Sequence, residues 1–118
     1  MQLDNIFKDR GNAKHFPKGS VVFSIDEPGY EMYVVLEGKI SIEIGGKVIE
    51  QLSAGEMLGE MALINSEHRS ATAIASEDSV LAVVDEKTFL FMVQQTPFFA
   101  LHVMRVLASR LRNMNPAG

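Results

Sequence analysis

Cysteine is absent from the chain, which excludes disulfides, thiolate metal sites, iron–sulfur clusters and cysteine nucleophiles. No apolar stretch approaches the roughly 20 residues needed to span a bilayer. The opening "MQLDNIFKDRGN" lacks the apolar run of a signal peptide. Lysine and arginine form no cluster and the formal net charge is −4. Duplex nucleic acid and an anionic membrane are therefore poor partners for this chain alone. The three histidines, His15, His68 and His102, stand apart with no second ligand at a metal spacing. That argues against a metal-dependent enzyme and against a haem sensor. No internal repeat, low-complexity tract or linker is visible. The expectation is a cytoplasmic protein with no metal or cofactor.

What is present is a chain of 118 residues, 47% hydrophobic, which suits one compact domain over residues 1–118 with a single core. A short amphipathic helix is predicted over Leu3–Lys8. From Ala13 to about Val84 short apolar runs are broken by glycine. Strands are predicted at Val21–Ile25, Met32–Glu37, Lys39–Ile44, Lys47–Leu52, Ser70–Ala75 and Val80–Val84. Gly45-Gly46 reads as a two-residue hairpin turn that places Ile42 opposite Ile49. Many short strands at this spacing mean a β-sandwich, jelly roll or small barrel. Beyond Val84 the period becomes helical. Asp85 caps a helix to about Gln94, and Thr96-Pro97 opens a second that runs to about Asn113. On the second, His102, Arg105, Ser109 and Arg112 form a polar stripe. Leu101, Met104, Ala108 and Leu111 lie opposite, joined by Val103 and Leu107.

The stretch "LGEMALINSEHRSATAIA", residues 58–75, carries the chemistry. Gly59 lets the backbone approach a ligand closely, and "EMALI" makes a helical turn behind it. The first N–H groups of such a turn lack intrahelical partners and attract anions. Arg69 adds a planar cation that fits two phosphate oxygens, and Ser70 a hydroxyl donor. Glu60 repels phosphate, so its role is to accept a hydrogen bond from a hydroxyl on the same ligand, such as a ribose 2′-OH. A phosphate beside a hydroxyl describes a nucleotide with a compact sugar-phosphate.

Gly59-Glu60-Met61-Ala62-Leu63 followed by Arg69-Ser70-Ala71-Thr72 closely resembles the phosphate-binding cassette of cyclic nucleotide-binding domains. These are the sensor domains of catabolite-activator-type regulators, cyclic-nucleotide-dependent kinases and gated channels. The resemblance covers roughly residues 12–113, including Gly19, Gly38 and Gly55. It implies a mainly β fold with flanking helices: a jelly-roll barrel (double-stranded β-helix) over about 12–84, with helices at about 85–94 and 96–113. It also implies a ligand, cAMP or cGMP, held by Gly59, Glu60, Met61, Ala62, Arg69, Ser70 and Ala71. Glu60 would take the ribose 2′-hydroxyl, Arg69 and Ser70 the cyclic phosphate, and N–H groups near Met61 and Ala62 would complete the cradle. In relatives, serine after the arginine accompanies cAMP, which is the favoured nucleotide. The last helix would act as a lid over the base. Met104, Leu107 and Leu111 would serve as core or as a helix-pairing face, or touch the base or a second subunit of a homodimer. Met114 and Asn115 fall where bacterial relatives place a base contact, and match it poorly.

Other readings remain open from sequence. Glu60 and Arg69 would make a structural ion pair, though buried pairs contribute little net stability. A degenerate cassette would keep the fold as an interaction module. A phosphodiesterase on the same barrel would want metal ligands or an acid–base pair beside the scissile bond, and the sequence places no histidine near Glu60. A non-enzymatic sensor is the expectation, signalling to a separate effector protein or excised from a larger regulator, kinase or channel. No groove-reading helix follows the lid helix within these residues.

Overall fold

The computed structural model describes residues 3–7 and 12–114, the side chain of Met114 excepted. Met114's side chain and Asn115 thus lie outside the described residues. The elements are α1 (Leu3–Phe7), β1 (Ala13–Phe16), β2 (Val21–Phe23), β3 (Glu31–Glu37), β4 (Lys39–Ile44), β5 (Lys47–Ser53), β6 (Met57–Leu58), α2 (Glu60–Asn65), β7 (Thr72–Ala75), β8 (Ser79–Asp85), α3 (Glu86–Gln95) and α4 (Pro97–Met114). They divide into two compact units, one ending at Glu86 and one beginning at Lys87.

In the first unit the strands form two four-stranded antiparallel sheets, ordered β1-β8-β3-β6 and β2-β7-β4-β5. This is the jelly roll expected from sequence. Phe16, Tyr33, Val35, Leu58 and Leu81 from one sheet meet Phe23, Ile40, Leu52, Ala73 and Ala75 from the other in one core. β3 is buried on both faces. Tyr33 and Val35 enter that core, while Met32 and Val34, also buried, alternate with them along the strand that α1 lies against. A strand covered twice reads as a continuous apolar run, which is why "MYVVL" shows no alternation.

The Gly45-Gly46 turn is present, with φ of +60° and +79° that only glycine adopts without strain. The register differs from expectation. A bulge between Ile42 and Glu43 sets Ile42 opposite Glu50 rather than Ile49, and Glu43 opposite Val48. β2 stops at Phe23 and β7 starts at Thr72, both shorter than predicted, because the chain on either side turns to meet Arg69, as described below. β1 and β6 were not predicted. β1 buries one of its four residues and β6 has only two, too few for a period.

In the second unit Pro97 occupies the first position of α4 as expected. Phe89 and Phe99 meet edge to face, their ring centroids 5.3 Å apart. Along α4, Val103 is buried and Leu107 half-buried, but Met104 and Leu111 are 58% and 60% exposed, which removes the core reading for those two.

Candidate functional site

α2 opens immediately after Gly59, which takes a left-handed conformation with φ of +79°. Met61 and Ala62 lie in its first turn, where N–H groups have no intrahelical partner. Ala62 and Glu60 are buried, Glu60 to 1% exposure, while Met61 is exposed. The residues between α2 and β7 then bring Arg69 back to the start of the helix. Its Nη1 donates a hydrogen bond of 3.1 Å to the carbonyl oxygen of Gly59. The expected close approach at Gly59 is made by this guanidinium: a Cβ there would stand 2.6 Å from Nη1.

Arg69 is 5% exposed. Its Cζ lies 4.3 Å from the Phe23 ring centroid and 5.9 Å from that of Tyr33, a cation–π arrangement that partly replaces water. Burial lowers its pKa from the ordinary value; Tyr33, Glu31 and Glu27 act electrostatically in the opposite sense. Its Nε is buried and has no hydrogen-bond partner among the described residues. A buried N–H left unpaired costs free energy, so this donor is set for an acceptor.

The main chain around Arg69 is fixed by the loop that follows β2. The Arg69 N–H donates to the Glu27 carbonyl at 2.9 Å, and the Asp26 N–H to the Arg69 carbonyl at 2.8 Å. Pro28 and His68 form an isolated bridge beside them. The Ile25 N–H donates to Thr72 Oγ1 at 3.0 Å. Four residues of the loop, Ile25 to Pro28, are thus laced to three of the cassette, His68, Arg69 and Thr72. Tyr33 donates its hydroxyl proton to Glu31 Oε1 at 2.7 Å. Burial and that bond raise the Tyr33 pKa above its ordinary value.

The sequence-predicted residues therefore gather in part. Gly59, Ala62 and Arg69 meet, with Glu60 beside Gly59 in the chain. Ala71 is buried ahead of β7, and Ser70 is exposed. Residues 13–96 match the family model of the cyclic nucleotide-binding domain. The chain belongs to that family.

The Cyclic AMP receptor protein of Thermus thermophilus is 32% identical over 102 residues, which span 82% of this chain and 47% of that protein. The crystal structure of the Thermus thermophilus catabolite activator protein matches with a TM-score of 0.79 at 30% identity, over 87% of this chain and 51% of that one. A structure from work on a cyclic-GMP-dependent signalling pathway regulating bacterial phytopathogenesis gives a TM-score of 0.82 at 28% identity, covering 96% and 94% of the two chains. This chain spans about half or less of the length of the curated relatives it matches, 47%, 35% and 18% in three of them.

In this cyclic nucleotide-binding domain, sequence reasoning missed the residues that surround Arg69. Phe23 and Tyr33 fall inside the predicted strands Val21–Ile25 and Met32–Glu37, and "DEPGY" between them carries only a turn signal. The available signal was the glycine in that turn, Gly29, which is buried and outside the left-handed region. Among the described helices none is long and apolar enough to cross a membrane.

Proposed function

We propose that this domain is a cytoplasmic receptor for a 3′,5′-cyclic nucleotide, cAMP in preference to cGMP. The observation that carries the reading is the buried Arg69 guanidinium beside the first turn of α2, with Nε unpaired among the described residues. The cyclic phosphate meets Arg69, Ser70 and the N–H groups of Met61 and Ala62, and the ribose 2′-hydroxyl meets Glu60. The preference for cAMP rests on Ser70. The nucleotide is bound and not converted; its recovery unchanged after long incubation is the expected result.

The signal is a shift in the arrangement of α3 and α4, biased by the nucleotide's differential affinity for the two arrangements. The exposed Met104 and Leu111 on α4 support an apolar contact made by that helix, with an effector protein or a second subunit. Thermal melting with and without nucleotide tests the reading. At a concentration ~100 times the dissociation constant, the gain is about 2.7 kcal/mol. Arg69→Ala abolishes the shift and leaves a folded protein. Loss of the fold in that variant would favour a purely structural guanidinium.

A further inference from the structure

Gly29 and the two hairpin glycines are held by opposite constraints. Gly45 and Gly46 need a positive φ, and a methyl group on either would meet nothing within 4 Å. Gly29 is the reverse. Its φ lies outside the left-handed region, so alanine carries no backbone strain there, but the space is taken. A Cβ on Gly29 would stand 2.4 Å from Nε and 2.5 Å from Cζ of Arg69, and 2.9 Å from the Cβ of Ala62.

We propose that Gly29 is a positioning residue for nucleotide binding: its missing side chain makes the slot in which the Arg69 guanidinium lies on Phe23. The inference rests on the function proposed above. The loop cannot simply move away from an added methyl group. Its main chain is tied to Arg69 by the Asp26 and Glu27 hydrogen bonds, and to His68 through the bridge at Pro28. The far end of a long flexible side chain yields at lower cost than this paired backbone. A side chain at position 29 therefore pushes the guanidinium off the Phe23 ring and away from the Gly59 carbonyl. The charge survives but no longer stands at the start of α2, where the phosphate is received.

The test is Gly29→Ala, read three ways: melting for the fold, calorimetric titration with cAMP and cGMP, and the Arg69 Nε–Hε cross-peak in nitrogen–proton spectra. With Cζ 4.3 Å from the Phe23 centroid, that cross-peak is expected to be displaced upfield in the parent, and it is assigned by its loss in Arg69→Lys. The expected result is a folded variant with affinity lowered at least tenfold and the upfield displacement lost. Parent-like affinity, or lost affinity with an unmoved cross-peak, overturns the proposal.

If the parent itself binds neither nucleotide, the proposed function falls, and the cross-peak alone decides whether Gly29 positions Arg69. If Gly29→Ala does not fold, the double variant Gly29→Ala/Arg69→Ala decides. It folds when the methyl group enters the space Arg69 vacates. Continued failure to fold would place the clash on Ala62 or the backbone and overturn the proposal.

Discussion

The guanidinium carbon of Arg69 lies 4.3 Å from the centroid of the Phe23 ring, and the same side chain donates to the Gly59 carbonyl through Nη1. One contact sets the plane of the fork and the other its direction. A cation held this way keeps its charge in the interior without a phosphate, with Nε left unpaired among the described residues. The energetic coupling between Phe23 and Arg69 is expected to be about 0.5–2 kcal/mol. A double-mutant cycle on stability with Phe23→Leu and Arg69→Ala measures it.

Charge alone does not satisfy this site. Arg69→Lys retains the cation but loses the planar fork. Losing one charged hydrogen bond costs about 1.5–3 kcal/mol, roughly ten- to a hundredfold in nucleotide affinity. Titration calorimetry on the folded variant reads the loss.

In the proposed function Glu60 takes the sugar hydroxyl, and that role would have its own signature. Glu60→Gln weakens binding of the parent nucleotide by about tenfold or more, as expected for a hydrogen bond to a charged group. The same substitution leaves affinity for the 2′-deoxy analogue nearly unchanged, since that ligand has no hydroxyl to lose. Equal losses for both ligands would give Glu60 a structural role.

Tyr33 predicts a dependence on alkaline pH. Burial first, and then its bond to Glu31, raise its folded-state pKa above the unfolded value near ~10. Its contribution to stability is therefore complete below pH ~10 and falls away as the pH rises toward the folded pKa, because only the unfolded chain releases the proton in that range. Denaturant melts of the parent and Tyr33→Phe compared between about pH 9 and 11 should show the parent losing stability more steeply.

The hairpin between β4 and β5 supplies the control. Gly46→Ala forces a side chain to φ of +79° in open space. It should cost about 1–2 kcal/mol of stability and leave nucleotide affinity unaltered.

Sequence and structure agree where local chemistry decides the outcome. The two-glycine turn, the proline opening α4 and the glycine before α2 each act within a few residues, so their signals are readable in order along the chain. The register of β4 against β5 was not readable, because Val48 and Ile49 are consecutive apolar residues, both exposed, so neither pins a face. The surroundings of Arg69 were hidden for a different reason. Phe23, Gly29 and Tyr33 lie 46, 40 and 36 positions from it in the chain, and the lacing of Ile25–Pro28 to the cassette brings them together. Ser70 shows the converse. Its spacing placed it in a strand, yet β7 begins at Thr72 and leaves Ser70 exposed.

The most direct measurement is a calorimetric titration of the folded domain with cAMP and cGMP, repeated with Arg69→Ala. The account predicts saturable binding at one site per chain, tighter for cAMP, and no measurable heat of binding in the folded Arg69→Ala variant. A folded parent that gives no saturable heat with either nucleotide at millimolar concentration would contradict it, as would an Arg69→Ala variant that binds as tightly as the parent.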